Sequence, residues 1–174
     1  MLRQRVPNAL VILYDPLAAQ HCVAAGPGAA VRLTVGAHTD ARHGTPVVIS
    51  GRVRTLSDGK FVETQIRHGG WGAMDQGITA VVETAEEHTV VLTSKRMAPM
   101  SLEQVLSLGI HPERKGILIV KGVVAPRAAY QPVAKRIVLV DTAGVTSDNP
   151  RHFDYKHRRV PLFPLEEDAQ YGGS

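Results

Sequence analysis

Aromatic residues are scarce in this chain, at 5% of 174 residues, so any core must be built from Val, Leu, Ile and Ala. Cysteine occurs once, at Cys22, which excludes an internal disulfide and leaves a reducing, cytoplasmic compartment as the default expectation. Cys22 falls in an Ala-rich helical pattern and reads as a small buried apolar residue, not a nucleophile. No apolar run approaches the ~20 residues that a membrane-crossing helix needs, and the opening residues lead into no signal-peptide pattern. No membrane partner is expected. Familiar catalytic signatures are missing as well: there is no HExxH, CxxC, GxSxG, P-loop or GxGxxG. The eight histidines are scattered. His38 and His43, with Asp40 in "GAHTDARHG", come nearest to a metal loop, yet zinc requires three or four converging ligands.

What is present is enough for one core. Hydrophobic residues make up 44% of the chain, and a domain of this length buries roughly 70% of its unfolded surface. Net charge is +4, from 20 Lys and Arg against 16 Asp and Glu. Part of the excess lies in "RHFDYKHRR", Arg151 to Arg159, where Phe153 and Tyr155 interleave the cations as in a phosphate-tracking patch. Asp154 inside it and Glu166, Glu167 and Asp168 beyond it favour a solvated, extended tail instead. Nucleic acid is therefore not the expected partner.

The patterning changes along the chain. "ALVILYDP" (Ala9 to Pro16) is a short apolar strand halted by Asp-Pro, with Asp15 placed to cap a helix that Gly26-Pro27 ends. "AAVRLTVGA" follows as a strand, giving a β-α-β opening. "TPVVISGRVRTLSDGKFVETQIR" alternates over two arms joined by Ser57 to Lys60, a hairpin signal, and "ITAVVETAEEHTVVLTS" repeats the design with a turn near Ala85 to Glu87. Such alternation predicts antiparallel strands with one wet face. "SLEQVLSLG" carries a capping box, Ser101 with Gln104, and closes on Gly109. Apolar runs at Ile117 to Val120 and Ile137 to Val140 flank a helix around Arg127 to Lys135 that Pro132 shortens or kinks. The expected fold class is α/β: a mixed sheet with buried parallel strands flanked by helices, plus antiparallel hairpins.

In an open α/β sheet, ligands sit outside the carboxyl ends of the parallel strands. The three solid runs end in Asp15, Lys121 and Asp141, which makes that edge the expected site. Each residue also has a purely structural reading: Asp15 as a helix cap, Lys121 as a solvated stem, Asp141 as a brace for the turn after it. Arg127, at the start of a helix where a cation is unfavourable, calls for an anionic partner. "RHGGWGAMDQG" adds His68 and Trp71 in a glycine-rich loop that approaches a ligand or merely crosses between hairpins.

The ordered series "NALVILYDPLAAQHCVAAGPGA", "SDGKF", "HGGWGAMDQGITAVV", "VVLTSKRMAP", "LGIHPERKGILIVKGVVAPRAAYQPVA", "VDTAGVTS" and "RRVPLFPLE" resembles the C-terminal domain of the MlrC (microcystinase C) family. The resemblance runs from about Val6 to Glu166. It implies a domain over residues 1–166, truncated at its N-terminus, while the residues that follow, 167–174, read from their own sequence as a disordered tail. It further implies descent from zinc metallopeptidases whose metal ligands lie on an N-terminal domain and whose C-terminal domain closes one side of the cleft. Asp148-Asn149-Pro150 only echoes the family's Asp-Asn-Pro-Gly-Gly-Gly stretch, at the wrong end of the chain. The implied activity is peptide hydrolysis. No zinc ligand carries over to this sequence, so no cofactor is expected in the chain itself and it is expected to be inactive alone. Its implied partners are a metal-binding N-terminal domain supplied by another polypeptide and a peptide substrate. Lys121, Arg127, Asp141, His68 and Trp71 are the expected cleft-facing residues. The alternative is a non-catalytic module that binds a partner protein or an anionic ligand.

Overall fold

Asp15-Pro16 ends one element and starts the next, as its composition predicts. Strand β1 (Ala9–Tyr14) stops there and helix α1 (Pro16–Ala25) begins, capped by the Asp15 carboxylate and closed at Gly26. A computed structural model of the chain describes residues 6–39, 44–65, 70, 72–122, 124–140, 142 and 149–170. The chain divides into two compact units, Met1–Ile137 and Val138–Ser174.

In the first unit the further elements are β2 (Ala30–Val35), β3 (Val47–Ser57), β4 (Lys60–Val62), β5 (Ala73–Asp75), β6 (Thr79–Thr84), β7 (Thr89–Thr93), α2 (Glu103–Leu106), β8 (Ile117–Ile119) and α3 (Ala125–Tyr130). Six strands form one sheet in the order β2-β3-β6-β7-β1-β8, and β4 pairs with β5 separately. β1 runs parallel to both of its neighbours, while the other pairs are antiparallel. The fold is thus α/β with a mixed sheet. Ala18, Ala19 and Cys22 of α1 pack on Val11, Leu33, Val82 and Leu92, covering one face. Val105, Leu108 and Ile110 cover the other, against Leu10, Val81 and Val91. Burial pushes the Cys22 thiol up to about 11, which keeps it protonated and inert. Among the described residues no helix is long and apolar enough to cross a membrane.

Several sequence expectations are corrected. The turn at Ser57 to Lys60 forms, with Gly59 at φ +73, but its arms do not pair. Both edges of β3 are already taken by β2 and β6, so the chain after Gly59 leaves the sheet and finds β5. The β6–β7 hairpin does form, yet neither of its faces is wet over Thr79–Val82 and Thr89–Thr93, because a central pair is covered from both sides. The run from Ile117 to Val120 gives only an edge strand, with Ile117 43% exposed. Ile137 to Val140 form no strand, and exposure rises from 40% at Ile137 to 73% at Val140. A three-residue β8 offers a following strand almost no ladder to join. α3 starts before Arg127 and ends at Tyr130, since Pro132 cannot donate to a further turn. Only half of the capping box forms: Ser101 Oγ accepts from the Glu103 N–H at 3.1 Å, while the Gln104 amide turns inward and donates to Gln76 Oε1 at 3.1 Å.

The sheet also curls. β2 stands four strands from β1, which in a flat sheet means roughly 19 Å. Even so, the Gly36 N–H just beyond β2 donates to Asp15 Oδ2 at 2.9 Å. Curvature enters at β3, whose register with β6 shifts between Val53 and Thr55. β2 thereby returns over the apolar cluster beneath α1.

Two glycines lock the small β4–β5 sheet to the large one. Gly59 (φ +73) and Gly77 (φ +69) lie in close contact: a Cβ on Gly59 would strike the Gly77 carbonyl oxygen, and one on Gly77 would strike Ser94 Oγ. Backbone bonds from Gln76 N to Gly59 O and from Lys95 N to Gln76 O, 3.0 Å each, fix the contact.

In the second unit the basic segment is tied down and is not a free tail. The Arg158 fork grips Glu166 at 2.6 and 2.8 Å, and Arg151 donates to the carbonyls of Pro164 and Leu165. Arg158 beside it, followed by the Leu162 N–H, holds the Glu166 carboxyl below its ordinary range. A depressed folded value means that this contribution is complete above the unfolded value near 4.3 and is lost as pH falls through the folded one. Acid titration followed on the Leu162 amide should therefore show the clasp opening only below the usual glutamate range, and Glu166→Gln should leave it open at neutral pH. In the first unit, Gly59→Ala and Gly77→Ala should each cost about 3 kcal/mol in urea unfolding. Gly28→Ala, at φ +80 but in open space, should cost about 1 kcal/mol.

Candidate functional site

The carboxyl ends of β7, β1 and β8 are neighbours, so the residues that follow them share one edge of the sheet. After β1 come Asp15 and α1, after β7 come Ser94, Lys95 and Arg96, and after β8 come Val120, Lys121 and Gly122. The sequence expectation that Asp15 and Lys121 would reach the same edge is met.

Asp15 is 2% exposed and fully engaged. Its Oδ1 accepts from the Ala18 N–H at 3.1 Å and its Oδ2 from the Gly36 N–H at 2.9 Å. His38 Nε2 lies 3.3 Å from Oδ2 and 3.2 Å from the Thr34 carbonyl oxygen. Gly36 (φ +73) and Ala37 (φ 55) turn the chain back to bring His38 there, and alanine in that region is strained. The structural reading of Asp15 as a cap therefore holds, and a second function is added: it orients a histidine that is 39% exposed.

Arg96 completes the group. Its guanidinium carbon sits 4.3 Å above the Tyr14 ring centroid, and Nη2 donates to Thr39 Oγ1 at 3.0 Å. Lys95, its neighbour, is instead neutralised by Asp75, whose carboxyl is held below its ordinary range first by that bond and then by the Gly77 N–H. The sequence reading missed Tyr14, Thr39 and Arg96. The one usable signal was the polar end of "VVLTSKR", and it becomes meaningful only when β7 is known to run parallel to β1.

The other expected residues are less tightly placed. Lys121 and Arg127 are both exposed, before and inside α3, and neither side chain has a hydrogen-bond or ion-pair partner among the described residues. Gly122 packs closely against Pro126. Asp141, His68 and Trp71 lie outside the described residues, as do Asp40 and His43 of the "GAHTDARHG" loop. Zinc does not fit what is described: no three His, Cys, Asp or Glu side chains there converge as ligands, and both Asp15 oxygens are engaged with backbone N–H groups or His38.

The family described as "MlrC C-terminus" matches residues 1–157. The chain belongs to that family. A crystal structure named "Putative metallopeptidase", from Mesorhizobium sp. BNC1, superposes with a TM-score of 0.78 at 25% identity. The match covers 95% of this chain and 32% of that one, so the chain spans about a third of that protein's length. No curated protein matches.

Asp15 is the residue on which this edge depends. Asp15→Ala should cost about 2 kcal/mol, since it removes the cap and strands two N–H groups, whereas Asp15→Asn should cost less. In both variants the His38 ring signals should broaden or shift in NMR spectra.

Proposed function

We propose that this chain is the cleft-forming C-terminal domain of an MlrC-like zinc metallopeptidase that hydrolyses peptide bonds. The observation that carries this reading is a family match over residues 1–157 together with superposition on one third of a protein named as a metallopeptidase. Zinc, in this reading, is held by the part of such proteins that the chain does not span, a metal-binding N-terminal domain in the same or another polypeptide. Its chemistry there would be to activate water and polarise a peptide carbonyl.

The domain's own contribution is the polar edge beyond β7, β1 and β8. Lys121 and Arg127, exposed and without partners among the described residues, are proposed to face the cleft. Cations there would stabilise the negative charge that develops on a peptide carbonyl oxygen. Asp141, His68 and Trp71 are proposed as further cleft residues on sequence grounds alone. The alternative is a non-catalytic module whose basic segment and glycine-rich loops bind a partner protein or an anionic ligand; of the basic segment, Arg151 and Arg158 are occupied within their own unit.

Reconstitution tests this. The purified chain, washed with chelator, should retain no zinc by elemental analysis and cleave no peptide. Combined with a metal-binding N-terminal domain it should gain peptidase activity. In that assembly, Lys121→Ala and Arg127→Ala should each lower kcat by about tenfold or more at unchanged melting temperature. About one zinc per washed chain, or turnover indifferent to both substitutions, would sink the respective part of the reading.

A further inference from the structure

Arg96 is held without a carboxylate, as are Arg52 and Arg151, which donate to backbone carbonyls, but it alone of these three lies over an aromatic ring. Arg54 meets Glu83 and Arg158 meets Glu166, each a cation with its carboxylate. Arg96 has its guanidinium over the Tyr14 ring and one N–H given to Thr39, with no carboxylate partner among the described residues. A stacked guanidinium with one donor fixed loses little further freedom on binding, and its remaining donors form a planar fork that matches two oxygens. It also stands immediately beyond a strand parallel to β1, on the sheet edge where open α/β folds place ligands.

We propose that Arg96, held by Tyr14 and Thr39 beside the Asp15-oriented His38, forms a subsite for the carboxylate of a peptide. The inference deepens the proposed peptidase reading and rests on it for the choice of a peptide. It does not rest on the N-terminus of α1, which the Asp15 side chain already caps. Asp15 is not the missing counter-ion, because its oxygens are engaged by Ala18, Gly36 and His38. A planar carboxylate matches the donors that Arg96 leaves free, and the peptidase reading makes a peptide its source. His38 precedes Thr39 and is 39% exposed, so its ring is open to the same ligand while Asp15 fixes its orientation.

The test is an NMR titration of the whole chain, observing the Arg96 Nε–H and the Tyr14 and His38 rings. Three probes are used: tri-alanine, tri-alanine amide and inorganic phosphate. Tri-alanine should give saturable shifts at all three residues, and its amide should give none. Arg96→Lys, which keeps the charge without the fork, should weaken tri-alanine by about tenfold, and Arg96→Ala should abolish the response. Equal shifts with the amide, shifts that survive Arg96→Ala, an unchanged affinity in Arg96→Lys, or tighter binding of phosphate would each overturn the proposal. Arg96→Lys preserves the charge on an exposed side chain, so it serves as the folding-safe variant. Because this readout needs neither metal nor partner domain, it separates the two readings. Active reconstitution with no tri-alanine binding removes the subsite alone, while binding without reconstituted activity removes the hydrolase reading.

Discussion

A single buried carboxylate holds the first unit together at its polar edge. Asp15 ends β1, caps α1 through the Ala18 N–H, and receives the Gly36 N–H from the far side of a curled sheet. Its own N–H donates to the Thr93 carbonyl at 2.9 Å, tying the same point to β7. A charge this deeply buried is tolerable only because each oxygen is hydrogen-bonded. In return, three distant segments are brought to one place. The turn through Gly36 and Ala37, and with it the position of His38, follows from that need.

The rest of the unit can be understood as what makes such a closure possible. β6, β7 and β1 are covered on both faces, by α1 on one side and by the α2 region on the other. That rigid middle lets β3 bend and β2 fold back without opening the core. The Gly59–Gly77 contact performs a similar task at the other side of β6, where only residues without a Cβ let two backbones approach so closely. The polar edge is thus carried by strands that cannot move easily, a favourable setting for side chains that must hold a geometry.

Burial also accounts for residues that look reactive but are not. Cys22 lies on the buried face of α1 with its thiol pushed up to about 11, and Tyr130 is pushed up by the same desolvation. Both serve packing. The groups left open at the edge, His38, Arg96, Lys121 and Arg127, are those in which positive charge or proton exchange remains accessible to solvent.

Local chemistry alone determined a good deal. Asp15-Pro16 and Gly26-Pro27 set the limits of α1, the Ala85 to Glu87 turn set the β6–β7 hairpin, and the ordered motifs identified the family, because each signal acts within a few residues. Tertiary structure decided what no local signal encodes. Whether the arm after Gly59 pairs with β3 depends on β3 having a free edge, and it has none. Whether Ile137 to Val140 becomes a strand depends on an adjoining ladder, which a three-residue β8 hardly provides. The meeting of Tyr14, His38, Thr39 and Arg96 depends on strand order and sheet curvature, and both are settled by the competition of whole strands for burial and hydrogen-bonded edges.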